Sequence, residues 1–176
     1  MDFFCKFCGA EHTDKIYPKT CLICNHTTWI NPTPVAVLLQ PVYDGYGRYG
    51  ILIGRRNIEP HIDKWNLIGG YIDTSDKDVI RAAARELQEE TGFIAAASSI
   101  NLFWSFSDGR FLLIFCENSE AILLNDLQRF VPNSECTQVS VAWEPRELCF
   151  ESHTEALRRW FNIQNFKKNI NSDLVK

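Results

Sequence analysis

The chain has 176 residues, 45% hydrophobic and 12% aromatic, with a formal net charge of −4. That is apolar material for one packed domain with a small appendage. The acidic balance excludes nucleic-acid binding by bulk electrostatics, and no apolar stretch reaches the length of a membrane span.

The opening "MDFFCKFCGAEH" has no basic start followed by a long apolar run, so a cytoplasmic protein is expected. Seven cysteines without an export signal argue against a disulfide framework. Four of them stand as Cys5-Lys6-Phe7-Cys8 and Cys21-Leu22-Ile23-Cys24. Each such knuckle supplies two thiolates from one tight turn, and two knuckles make the tetrahedron that structural Zn²⁺ prefers. Cys5, Cys8, Cys21 and Cys24 are therefore the predicted zinc ligands, with His26 a substitute that is not needed. Four sulfur ligands leave no open position, so the zinc is expected to be structural only. The segment carries Lys6, Lys15 and Lys19 against Asp2, Glu11 and Asp14, a poor electrostatic match for nucleic acid. Cys116, Cys136 and Cys149 stand singly and read as ordinary semi-buried thiols.

"NPTPVAVLLQP" then marks a boundary, and the β-branched run Val35 to Leu39 predicts a strand. Gly45 to Gly47 is a turn from which "YGILIGRR" returns, predicting a hairpin. Arg55 and Arg56 at its end are candidates to clamp phosphates by forked hydrogen bonds, set against a plain solvated strand end. Residues 57–66 read as a loop. Residues 77–91 predict a helix, capped by Asp76, Ser75 or Thr74 and ended by Gly92. Asn101 to Ser107 and Phe111 to Glu117 predict a second hairpin around Asp108-Gly109. Val139 to Trp143 is a short strand, and His153 to Phe161 an amphipathic helix. The last ten or so residues read as a frayed tail. Trp65, Tyr71, Trp104 and Phe106 are candidates for stacking on a base, although strand aromatics more often serve the core. Mixed strands with two helices imply an α+β sandwich.

The helix over 77–91 carries Arg85-Glu86-Leu87-Gln88-Glu89-Glu90. At about 100° per residue, Ile80, Ala83 and Ala84 share a face with Leu87. Glu90, Glu86 and Glu89 follow at about −60°, −100° and −160° on one adjoining arc. Composition alone allows a solvated acidic face. But Glu86 and Glu90 repel as i, i+4 neighbours, and the helix C-terminus disfavours negative charge. A hard divalent cation relieves both.

The stretch resembles the signature of the Nudix hydrolases, G-x5-E-x7-R-E-U-x-E-E-x-G-U with U apolar. Arg85 to Phe93 matches the second half at every fixed position, and Gly70 matches the opening glycine. The first half is one residue longer than the pattern, and its glutamate is absent. Counting back from Arg85 puts Lys77 in its place; counting on from Gly70 puts Asp76 there. The order of four-cysteine ribbon, "NPTPVAVLL", "GRRNIEPHIDKWNLIGG", acidic helix and "LCFESHTEALRRW" is similar to zinc-ribbon Nudix proteins from residue 5 to about 163.

This resemblance implies a Nudix α/β/α sandwich with a mixed sheet over residues 32–165, a zinc ribbon over 1–31 and a tail over 166–176. It implies Mg²⁺- or Mn²⁺-dependent hydrolysis of a nucleoside diphosphate linked to another group, with a nucleotide as the small-molecule partner. ADP-ribose or FAD is expected ahead of NADH, because the run S-Q-P-W-P-F-P of the NADH branch is missing from "NLFWSFSDGRF". It makes Glu86, Glu89 and Glu90 the expected metal ligands, with Arg85 beside them as a catalytic residue. The base is one of these acids or a downstream glutamate, Glu117, Glu120 or Glu135. Gly69 and Gly70 are expected in the loop before the helix, close to substrate. A different class, a Nudix-like nucleotide sensor without turnover, stays open, as does a homodimer.

Overall fold

The computed structural model describes residues 3–12 and 16–173, with 168–173 as helical backbone. Residues 1–2 and 13–15 of the predicted ribbon and 174–176 of the predicted tail lie outside the described residues.

The N-terminal module is built on two similar turns. Gly9 and Asn25 take left-handed backbone, φ 74° and 57°, one residue beyond each cysteine pair. Their N–H groups donate to the carbonyls of Cys5 and Cys21, each at 2.9 Å. Glycine and asparagine are the residues that accept this conformation at least strain. Strands β1 (Lys19–Thr20) and β2 (Thr27–Thr28) pair antiparallel across the second turn.

The rest of the chain forms β3 (Thr33–Leu39), β4 (Pro41–Tyr43), β5 (Tyr49–Arg56), β6 (Trp65–Asn66), β7 (Ile68–Tyr71), α1 (Val79–Thr91), β8 (Ile100–Ser107), β9 (Phe111–Asn118), β10 (Ile122–Leu123), β11 (Cys136–Ala142) and α2 (Glu151–Asp173). Two mixed sheets run β7-β3-β9-β8 and β10-β4-β5-β11, with β6 also on β5. β3 and β9 are parallel, as are β4 and β10. The helices cover opposite faces. Ala36 and Leu38 of β3 pack with Ala82, Ala83 and Leu87 of α1. Val37 and Leu39, pointing the other way, pack with Ala156, Leu157, Trp160 and Phe161 of α2. Burial on both faces is why this strand reads as an unbroken apolar run rather than an alternating one. The predicted α+β layered sandwich is the observed architecture.

Several local expectations change. Val35 to Leu39 does not form a hairpin with "YGILIGRR". The chain crosses between sheets at Gln40, and the short β4 pairs with β5 instead. Gln40 is fully buried; it donates to the carbonyls of Pro41 and Glu120 and accepts from Asn118 Nδ2. That polar knot satisfies the backbone where the strand leaves one sheet for the other. Gly69 and Gly70 lie in β7, paired with Val37 and Ala36, not in a loop. α1 is capped by Asp78, whose side chain accepts from Arg81 N at 2.9 Å; Asp76 has another partner, described below. α2 runs from Glu151 to Asp173, well past Phe161. The β8–β9 hairpin forms as expected, with Asp108 Oδ1 accepting from the N–H groups of Arg110 and Phe111.

Candidate active site

Helix α1 turns Glu86 and Glu90 inward, where they are only 6% and 7% exposed. That excludes a solvated acidic face. They are brought against β7, where Gly69 N–H donates to Glu90 Oε1 at 3.1 Å. Glu135 joins them from the loop before β11, so that carboxylate oxygens of Glu86, Glu90 and Glu135 lie within 4.8 Å of one another. Burial raises the Glu86 carboxyl above its ordinary range and pushes Glu90 up to about 8, with the Glu86 and Glu135 charges adding to the shift on Glu90. Crowded, desolvated carboxylates of this kind fit a hard divalent cation, which supplies the missing positive charge.

The downstream loop is held by Asn133. Its Nδ2 donates to the carbonyls of Glu90 at 2.9 Å and Glu89 at 3.3 Å. Its Oδ1 accepts from Glu135 N and Cys136 N, each at 2.9 Å, a side-chain-closed turn. Of the three candidate bases, only Glu135 reaches the acids. Glu117 accepts from the Trp160 indole at 2.6 Å on the α2 side, and the exposed Glu120 sits at the Gln40 knot.

Glu89 stands apart from this trio. Its side chain is 57% exposed and pairs with Arg85 at 2.8 Å. Arg85 also bonds Glu86 at 2.8 Å and takes Asp76 in a two-bond fork, with the Tyr71 carbonyl as its fourth partner. Arg85 thus binds two of the three helix acids and leaves Glu90 to the strand. Its hydrogen bonds hold the Asp76 carboxyl below the usual range.

A cavity of about 550 Å³ opens over the acids. Glu86, Glu89, Glu90 and Glu135 line it with Gly69 and Gly70. Val35, Tyr71, Phe106, Phe111 and Leu113 give it an apolar side. The strand register explains that side. Val35 is paired with Tyr71 and Leu113, and Leu113 with Phe106, so one row crosses the whole sheet. The aromatic candidates therefore divide. Tyr71 and Phe106 are exposed and line the cavity, whereas Trp65 and Trp104 pack on the α2-side core, Trp104 stacked on Phe115 at 5.2 Å. The arginine pair divides too. Arg56 lines the cavity, over the Phe150 ring at 5.2 Å and bonded to the Pro60 carbonyl at 2.8 Å. Arg55, on the opposite side of the strand, is held by Asp63.

At the other end of the chain the four predicted sulfurs converge. Cys5 Sγ lies 3.7 Å from Cys24 Sγ, and Cys8 Sγ 3.6 Å from Cys21 Sγ. All four are within 4.8 Å of one another. A zinc tetrahedron with bonds of about 2.3 Å has edges of about 3.8 Å, so the cluster fits the ion. Backbone N–H groups within each knuckle lower the Cys5 thiol and take Cys21 down to about 6, towards the thiolate that binds metal.

Comparison with known proteins decides the family. The model of the NUDIX domain matches residues 32–174. The chain belongs to the Nudix family.

Solved Nudix structures share its fold. A NUDIX hydrolase from Nitrosomonas europaea superposes with a TM-score of 0.63 at 18% identity, covering 93% of this chain and 92% of its own. A MutT/nudix family protein from Enterococcus faecalis gives 0.56 at 18%, covering 70% of this chain; the match spans half, 50%, of that protein's length. NrtR of Shewanella oneidensis gives 0.56 at 18%, over 75% of this chain and 63% of that one. No curated protein matches the sequence significantly.

The Nudix motif of this chain has an irregular first half, and the structure shows how it is accommodated. Lys77 is exposed, and Asp76 is the acid that meets Arg85. Asn133, Phe111, Phe150 and His153 were not singled out from the sequence as cavity or positioning residues. Only Asn133, in a Pro-Asn-Ser turn, carried a local signal. As a Nudix domain the chain has the fold of pyrophosphohydrolases that act on phosphorus-containing anhydrides. Among the described residues no helix is long and apolar enough to cross a membrane.

Proposed function

We propose that this Nudix protein hydrolyses the pyrophosphate bond of a nucleoside diphosphate linked to a second group, with ADP-ribose or FAD ahead of NADH. The observation that carries the reading is the cluster of the buried Glu86 and Glu90 with the exposed Glu135 at the mouth of a cavity with an apolar, aromatic side. Carboxylates alone repel a diphosphate, so the trio is understood as a seat for Mg²⁺ or Mn²⁺. The bound ion would neutralise phosphate charge and lower the pKa of a water. Around it, Arg85 fixes Glu86 from the outside, the Gly69 N–H fixes Glu90, and Asn133 fixes Glu135. Glu89, exposed on the cavity wall, can still reach a second cation when substrate brings one. Tyr71 and Phe106 offer ring faces to a base or isoalloxazine, and Arg56 is the cation on the wall for a phosphate. The absence of the NADH-branch run ranks NADH below the other two.

The cysteine module over residues 1–31 is proposed as a zinc ribbon beside the Nudix domain over 32–165. Its ion holds the turns and takes no part in hydrolysis.

The test is a panel of ADP-ribose, FAD, NADH, dinucleoside polyphosphates and nucleoside triphosphates with Mg²⁺ or Mn²⁺, reading released mononucleotide. Release of AMP from ADP-ribose or FAD, abolished in Glu90→Gln, supports the reading. NADH turned over far faster than both would reverse the ranking, and no turnover of any compound would overturn the activity.

A further inference from the structure

The edge of the strand leading into β7 presents two outward N–H groups, at Leu67 and Gly69. The second goes to Glu90. The first goes to a side chain from the opposite layer: Leu67 N donates to His153 Nδ1 at 3.2 Å. Residues i and i+2 of a strand are about 7 Å apart, so His153 and the acid site are neighbours along one strand edge.

His153 is 4% exposed, yet it lines the cavity beside Phe150 and Ser152. Phe115 meets its ring edge-on at 5.7 Å and 84°, and Phe150 lies at 5.0 Å. The imidazole is thus fixed in place and in tautomer. Nδ1 accepts a hydrogen bond, so a neutral ring carries its proton on Nε2. Among the described residues no protein acceptor for Nε2 is seen. Burial, reinforced by the Arg56 charge, takes the imidazole down to about 3, which keeps the ring neutral. Arg56 is the charged group that bears on it; the faces toward Phe115 and Phe150 are apolar.

We infer that His153 is a substrate-binding residue, whose Nε2–H donates to an oxygen or nitrogen acceptor of the nucleotide about one strand repeat from the metal-side acids. The inference rests on the cavity being the substrate site. A neutral donor suits this place. An imidazolium would repel the cation and compete with it for the acids, whereas an uncharged N–H adds a directional contact without altering the charge balance. A plainer role, tying α2 to the strand before β7, uses Nδ1 alone.

The two roles use different nitrogens, so two substitutions separate them. His153→Asn keeps an acceptor near the Nδ1 position and loses the Nε2 donor. His153→Gln places a donor near Nε2 and loses the Nδ1 acceptor. With ADP-ribose and Mg²⁺, the Asn protein should melt near the parent while its KM rises about tenfold, the worth of one good hydrogen bond. The Gln protein should melt lower and keep a KM nearer the parent. A parental KM in the Asn protein, or equal KM losses in both, would overturn the inference.

A readout without turnover uses the unsubstituted protein. Long-range ¹H–¹⁵N NMR should show a neutral, Nε2-protonated His153 whose Nε2 resonance moves on titration with AMP. An unmoved resonance at saturating AMP would also overturn it. If ADP-ribose is not hydrolysed, the proposed reaction fails on its own, and the AMP titration still decides the histidine.

Discussion

Arg85 closes its guanidinium fork on Asp76, with Nε 3.1 Å from one carboxylate oxygen and Nη2 2.8 Å from the other. The Asp76 side chain is 7% exposed and that of Arg85 24%. The same guanidinium holds Glu86, so the loop before α1 is tied through one residue to the acid site. Asp76→Asn should destabilise the protein by ~2 kcal/mol, since it leaves a half-buried arginine short of its partner. Hydrolysis should fall with it as Glu86 loses its fixed position. Lys77→Gln, one residue on, should change neither. Urea melts and initial rates of the two proteins give the answer; equal behaviour would separate Asp76 from the site.

This pair also marks how far the sequence could be read. Arg85, Glu86, Glu90 and Gly92 were legible because helix periodicity and a local motif fix them relative to one another, whereas Glu89, expected beside Glu86 and Glu90, turns outward to Arg85. The four cysteines were legible because each Cys-x2-Cys spacing sets two sulfurs on one tight turn. Which residue, Lys77 or Asp76, stands for the missing glutamate was not, because an insertion makes two alignments equal until Arg85 selects Asp76 in space. Glu135 was one of three downstream candidates, and only the Asn133 turn, folded onto the end of α1, singles it out. The partner of Val35 to Leu39 was misread because a run buried on both faces carries no alternation to say which strand lies beside it. Tyr71 and Phe106 became separable from Trp65 and Trp104 only through register: Trp104 and Phe106 share one face of β8, their rings 6.0 Å apart, but only Phe106 falls in the row of Val35 and Leu113 that lines the cavity.

The raised Glu90 carboxyl gives a pH signature for the metal-free protein. Its folded value, about 8, lies above the ordinary glutamate value of 4.5, because burial penalises the charge. The folded state therefore holds a proton that the unfolded state has released between those values, and stability falls as pH rises through that window. In chelator, the melting temperature should decline from pH 5 to 8. Glu90→Gln should flatten that decline and melt higher than the parent at pH 8. Mg²⁺ should stabilise the parent at pH 8 and the variant far less, by linkage. A flat parental profile in chelator would contradict the burial of an uncompensated carboxyl.

The ribbon should depend on its metal. Cys21→Ser removes a sulfur that contacts Cys8 Sγ at 3.6 Å and breaks the tetrahedron. Elemental analysis should give one zinc per chain in the parent and little in the variant. Hydrogen exchange at 19–28 should rise steeply, because β1 and β2 are two residues each and have no apolar core of their own. Exchange in α1 and β5 should stay near the parental rate. Protection at 19–28 that survives zinc loss would mean the turns hold themselves.

Gly69 and Gly70 are adjacent in one strand, yet a methyl group at each should fail differently. At Gly69 a Cβ would lie 2.2 Å from the Ala36 carbonyl oxygen and 2.7 Å from Val37 Cα, at φ +154°. Those neighbours are the backbone of Ala36 and Val37, both fully buried, and cannot yield. Gly69→Ala should cost about 3 kcal/mol or more of stability, by overpacking and strain together. At Gly70 a Cβ would meet both oxygens of Glu86 at 2.6 Å. The end of a side chain can swing aside, so Gly70→Ala should melt near the parent. But the carboxylate that must move belongs to the acid trio, and a displacement of about 1 Å there should lower hydrolysis on the order of a hundredfold. Mn²⁺ affinity, measured without substrate, should drop in the same protein. Melting curves, ADP-ribose turnover and Mn²⁺ titration on the two variants test this directly. A Gly70→Ala protein that binds Mn²⁺ and hydrolyses substrate like the parent would show that Glu86 has no fixed place to lose.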